Sequence, residues 1–131
     1  MYSHITLGTE DFDRAARFYD AVMATLGHKQ LFRFESAIAY GEPTGPKLFI
    51  LKPFDGGQAM PGNGVHAAFI AASRGEVDAF HAAAMAHGGR DEGAPGPRPH
   101  YHPNYYGAYV RDPDGNKIQA VCHRKPAPEP Q

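Results

Sequence analysis

YVRDPDGNKIQAVCH, residues 109–123, reads as a strand, a tight turn and a second strand. Asp, Pro, Gly and Asn crowd its middle, and Asp114–Gly115 carries the turn. Alternation splits the second strand into two faces. Ile118, Ala120 and Cys122 form one, and Lys117, Gln119, Val121 and His123 the other. A neutral Gln119 is either a hydrogen-bonded polar residue on a sheet face or an oxygen donor that some chemistry needs.

Working outward, the same pattern occurs twice. YSHITLG (2–8) alternates like a half-buried strand, and TEDFDRAARFYDAVMATLG spaces Phe12, Ala15, Ala16, Tyr19, Val22, Met23 and Leu26 as a helix. Asp11 suits its N-cap and Gly27 its C′ position. KQLFRFE, SAIAYGE and PKLFILKP are three short strands. After the loop DGGQAMPGNG comes another strand, GVHAAFIA, then the helix SRGEVDAFHAAAMAHGG. That helix opens on a Ser73–Glu76 capping box and ends at Gly88–Gly89. NYYGAYVRD and NKIQAVCH close the second half.

Offsets make the repeat quantitative. His4 to His66 and Gly27 to Gly89 are each 62 residues apart, while Lys47 to Lys117 and Tyr40 to Val110 are each 70. The extra residues of the second half fall to the loop GAPGPRPHYHP. The expected fold is α+β: two βαβββ modules, about 1–55 and 62–123, whose curved mixed sheet forms a cup with the helices outside. They make a single domain over 1–123, followed by a Pro-rich polar tail, 124–131, expected to be disordered. In the first strand Ile5 and Leu7 turn to the helix and His4 and Thr6 to the cup; in the fifth, Val65, Ala67 and Phe69 turn to the helix and His66 to the cup. The repeat therefore sets His4, Phe49, His66 and Gln119 around one cup.

Composition bounds the function. With 131 residues, 42% hydrophobic and 21% charged, the chain is an ordinary globular protein with enough core to fold unaided. A net charge of −1 gives nucleic acid or an acidic membrane surface nothing to attract, and no apolar run approaches bilayer length. The single cysteine, Cys122, precludes an intrachain disulfide and suits the cytoplasm.

HITLGTEDFDRAARFYDAVMATLG, GNGVHAAFIA and VRDPDGNKIQAV, in this order and spacing, resemble the vicinal oxygen chelate superfamily, which includes glyoxalase I, fosfomycin and bleomycin resistance proteins and extradiol dioxygenases. The resemblance runs from His4 to His123. It implies a divalent metal (zinc, nickel, manganese or iron) held by residues on the first, fourth, fifth and eighth strands. Those positions here are His4, Phe49, His66 and Gln119. Phe49 cannot ligate, and Gln119 stands where the family usually has a carboxylate, so any metal should be bound weakly. The resemblance leaves two readings. One is a metal-assisted lyase, isomerase or transferase acting on a small oxygenated substrate, with His102 as its base. The other is a metal-free protein that sequesters a small molecule.

PRPHYHPNYYGAY adds an individual feature, with His100, Tyr101, His102, Tyr105, Tyr106 and Tyr109 within ten residues. Rings with polar tips suit a small organic ligand. Phe49, His100, Tyr105 and Tyr109 are therefore pocket candidates, with Tyr105, Gly107 and Tyr109 facing the cup and Tyr106, Ala108 and Val110 the helix. A homodimer is expected, because open sheet edges favour partners.

Overall fold

The structure, a computed structural model, describes residues 1–126. Most of the expected 124–131 tail lies outside the described residues. The first module comprises β1 (His4–Gly8), α1 (Phe12–Ala24), β2 (Gln30–Arg33), β3 (Ala37–Gly41) and β4 (Lys47–Leu51). The second comprises β5 (Ala67–Ile70), α2 (Arg74–Ala86), β6 (Arg90–Pro97), β7 (Tyr106–Arg111) and β8 (Lys117–Cys122). Each module folds into a four-stranded mixed sheet, in the orders β1-β4-β3-β2 and β5-β8-β7-β6.

The duplication is written into the strand register. Thr6 lies opposite Phe49 and Ala68 opposite Gln119; Ala39 lies opposite Phe49 and Tyr109 opposite Gln119. Those pairs reproduce the 62- and 70-residue offsets of the sequence. Local signals fix the helix ends. The Asp11 side chain accepts from the Arg14 N–H, while Gly27 at φ 83° lets the His28 N–H reach the Met23 carbonyl. At α2, Ser73 accepts from the Glu76 N–H, and the Glu76 carboxylate reaches one residue past the cap to Ala72 N–H.

One core runs under both sheets. Ile38, Tyr40, Leu48 and Ile50 from the first sheet and Ala67, Ala108, Val110, Ile118 and Ala120 from the second are all buried against α1 and α2. Phe18, absent from the helical stripe read in the sequence, is 0% exposed. Its ring reaches Gly89, where an added Cβ would sit 2.9 Å from Phe18 Cε2. α1 therefore buries a second face against the other module, which widens its apolar stripe. Two further expectations need correction. Arg90–Pro97 is a strand, β6, with register shifts at Asp91/Gly93 and Gly93/Gly96 that break the alternation a strand normally shows. Val65 precedes β5 and is 64% exposed rather than packed under α2.

The DPDGN turn locks the modules together. Asp112 is buried and accepts from Tyr19 O–H (2.6 Å), from the Asp114 and Asn116 backbone N–H groups, and from Asn116 Nδ2. Asn116 Nδ2 also donates to the Gly8 carbonyl, and Asp114 takes Thr9 O–H and Arg14. Burial pushes the Asp112 carboxyl above the usual carboxylate range, opposed by these hydrogen bonds.

Candidate functional site

With both helices on one side, the opposite faces of the two sheets are left for a ligand, and they differ in chemistry. On the first sheet the face is apolar. Phe49 stands between His4 (ring centroids 5.0 Å, edge-on) and Phe32 (6.0 Å), and Phe32 continues to Phe34 at 5.1 Å. Phe32, Phe34, Phe49, Thr6 and Leu51 line an open hollow of about 570 Å³, within the range of small-molecule pockets. His4 is exposed, with its Nδ1 2.9 Å from Ser3 Oγ. A second cleft, of about 390 Å³, separates the unpaired edges of β1 and β5 and is lined by His4 and Ile5 on one side and Ala68, Phe69 and Ile70 on the other.

The face of the second sheet is polar. Gln119 is 1% exposed and bonded at both ends of its amide. Its Oε1 lies 3.1 Å from His66 Nε2, and its Nε2 donates to the Tyr105 hydroxyl at 2.6 Å. An amide oxygen only accepts, so His66 carries its proton on Nε2. Gly107 makes room for this amide, since a Cβ there would come within 3.1 Å of Gln119 Nε2. Tyr109 lies edge-on to His66 at 5.9 Å. Burial, and then the neighbouring phenols of Tyr105 and Tyr101, push the Tyr109 hydroxyl up to about 12. Tyr106 points the other way, donating to Asp78 on α2. The alternation expected of β7 therefore holds, with Tyr105, Gly107 and Tyr109 on the side of Gln119.

His100, Tyr101, Tyr105, His102 and His123 form a run of ring contacts beside this face, with centroids 4.2–5.4 Å apart. His102, the base suggested by the sequence, has both nitrogens occupied. Nδ1 accepts from the Asn104 N–H at 3.1 Å, so Nε2 carries the proton and donates to His123 Nδ1 at 2.8 Å. The sequence had offered no role for His123. Its partner lies 21 residues away, and only the turn Arg98–Asn104, folding back on β8, joins them.

A duplicated βαβββ fold with helices on one side and two open sheet faces on the other defines the vicinal oxygen chelate class. The chain belongs to the Glyoxalase/Bleomycin resistance protein/Dioxygenase superfamily, whose model it matches over residues 2–120. Among solved structures, a glyoxalase/bleomycin resistance protein from Albidiferax ferrireducens is 40% identical, with 95% of this chain and 99% of that one covered and a TM-score of 0.87. A glyoxalase-related enzyme from Fulvimarina pelagi is 27% identical over 93% of this chain and 87% of that one, with a TM-score of 0.73. Lactoylglutathione lyase from Agrobacterium tumefaciens shares the fold at 20% identity, covering 93% of this chain and 92% of that one (TM-score 0.64). No curated protein matches the chain.

The metal that the fold family implies does not fit these donors. Nothing on β4 offers a ligand, because Phe49 occupies the position and packs its ring against His4. On β8 the amide oxygen of Gln119 turns a lone pair to the His66 Nε2–H, so these two atoms face each other rather than jointly facing one cation. Among the described residues no three His, Cys, Asp or Glu side chains converge. Two imidazoles and a committed amide bring no negative charge to offset a divalent ion. His4 and His66 each contact their own sheet's residues: His4 touches Phe49 and Ser3, and His66 touches Gln119 and Tyr109.

Proposed function

We propose that this chain binds a small organic molecule on the open faces of its two sheets without a metal, as a sequestering member of its superfamily. One observation carries the reading: the doubly bonded Gln119 amide, which turns the position usually given to a metal-binding carboxylate into an internal hydrogen-bond node. The aromatic wall of Phe32, Phe34 and Phe49 supplies apolar contact, and the phenols of Tyr105 and Tyr109 supply orientation.

The competing reading is a metal-assisted lyase, isomerase or transferase with His4, His66 and Gln119 as ligands and His102 as base. It has less support, because His102 commits both ring nitrogens to neighbours and His66 Nε2 and the Gln119 oxygen are turned to each other.

The test is side-chain and backbone NMR of EDTA-treated protein titrated with a set of small aromatic compounds. The reading predicts saturable shifts at Tyr105, Tyr109, the Gln119 amide and Phe49, unchanged by EDTA. Shifts that occur only after a divalent metal is restored would reject it.

A further inference from the structure

The hydrogen bonds around Gln119 have a direction. His66 Nε2 donates to the amide oxygen, so the amide nitrogen faces the Tyr105 oxygen and donates to it. Tyr105 accepts in that bond, and its own proton is left to point away from Gln119. The chain His66→Gln119→Tyr105 thus ends in a Tyr105 O–H left free to donate, beside the Tyr109 phenol. Nearby, Lys117 Nζ lies 5.2 Å from the Tyr109 ring centroid, and the Arg98 guanidinium lies 5.9 Å from the same centroid. Arg98 gives two of its five N–H groups to the carbonyls of Pro97 and Ala94. Among the described residues, neither cation forms an ion pair. Glu92, which feels the charge of Lys117, is already paired with Arg111 at 2.8 Å.

On this face the Glu92 carboxylate is already neutralised by Arg111, and Lys117, Arg98 and the Tyr105 hydroxyl offer positive charge or a proton. We infer that the second sheet's face recognises the anionic head of the ligand, a carboxylate or similar oxyanion, through Lys117, Arg98 and the Tyr105 hydroxyl. The rings of Tyr101 and Tyr105, packed together on this same side, then receive the apolar body, so the ligand class is a small amphipathic anion. Tyr109 serves as a positioning residue, because its ring packs against both cations, Lys117 at 5.2 Å and Arg98 at 5.9 Å. This rests on the metal-free reading above and narrows it to one ligand chemistry.

Benzoate and benzamide are matched probes, with the same ring and differing only in charge. Titrated into EDTA-treated wild-type protein, benzoate should bind at least about tenfold more tightly than benzamide, the size expected of one charge-assisted contact in a half-open site. Lys117→Gln and Arg98→Gln should each weaken benzoate by about tenfold and leave benzamide unmoved. Arg17→Gln, an equal charge change on the exposed side of α1, should alter neither. Gln119→Glu should abolish the preference, because a carboxylate there draws the Tyr105 proton inward and adds a negative charge. Should a variant fail to fold, wild-type benzoate affinity must still fall as salt rises.

Equal binding of the two probes, or benzoate binding indifferent to salt and to Lys117→Gln, overturns the inference while leaving the metal-free reading standing. Failure of both probes to shift any residue of the two faces overturns both.

Discussion

Replacing Gln119 with leucine tests whether its amide is a structural node. The side chain is buried, so the variant keeps most of the volume and gains apolar contact, while two hydrogen bonds are lost. Each is worth about 1 kcal/mol net, and the 2.6 Å bond to Tyr105 stands at the stronger end. His66 is exposed and Tyr105 half-buried, so both can turn to water, and no full penalty for a stranded polar group is added. Burying leucine in place of an amide returns something under about 1 kcal/mol. The balance is a loss of about 1–2 kcal/mol, or about 3–8 °C in a domain of this size. Thermal unfolding followed by circular dichroism, with urea titration for the free energy, measures it. An amide standing idle in want of a metal would give the opposite sign, so a Gln119→Leu protein as stable as wild type, or more so, would refute the reasoning.

Three other perturbations have defined outcomes. Asp112→Asn turns an amide N–H toward Tyr19 and Asn116, both already donors, and should cost about 2–4 kcal/mol in urea unfolding; a loss below about 1 kcal/mol would mean that the turn does not tie the modules together. Tyr109 titrates near 12 when folded, above the ordinary tyrosine value of 10.0, so its contribution to stability is whole below pH 10 and is lost as pH rises toward 12. Tyr109→Phe should flatten the fall of stability in that window, and an unchanged alkaline profile would count against the assignment. A homodimer is also expected, since Tyr2 and Ile70, 68% and 75% exposed, flank the cleft between the β1 and β5 edges; light scattering at the mass of one 14.2 kDa chain would refute it.

The module pattern was legible because each half carries its own punctuation: a capped helix, a closing glycine and a Pro/Gly turn, repeated at fixed offsets. Strand alternation likewise assigned the faces of β7 and β8, because apolar Ala108, Val110, Ile118 and Ala120 leave no other way to bury the sheet. β6 was not legible. Two register shifts and a run of Gly and Pro erase its alternation, and its pairing to β7 is a long-range fact. Phe18 was missed for a related reason, since the face it buries exists only once the second module packs against α1. At the site, the sequence yielded the residue types but not their bonds. That Gln119 is spent on His66 and Tyr105, and His102 on His123, depends on rotamers and ring tautomers that spacing does not encode.

The central claim is that Gln119 and His66 satisfy each other and leave no place for a divalent ion. Calorimetric titration of EDTA-treated protein with zinc, nickel, manganese and ferrous iron, repeated on His66→Ala and Gln119→Leu, tests it most directly. The account predicts no saturable heat that either substitution removes. Tight stoichiometric binding of any of these metals, lost in both variants, would contradict it.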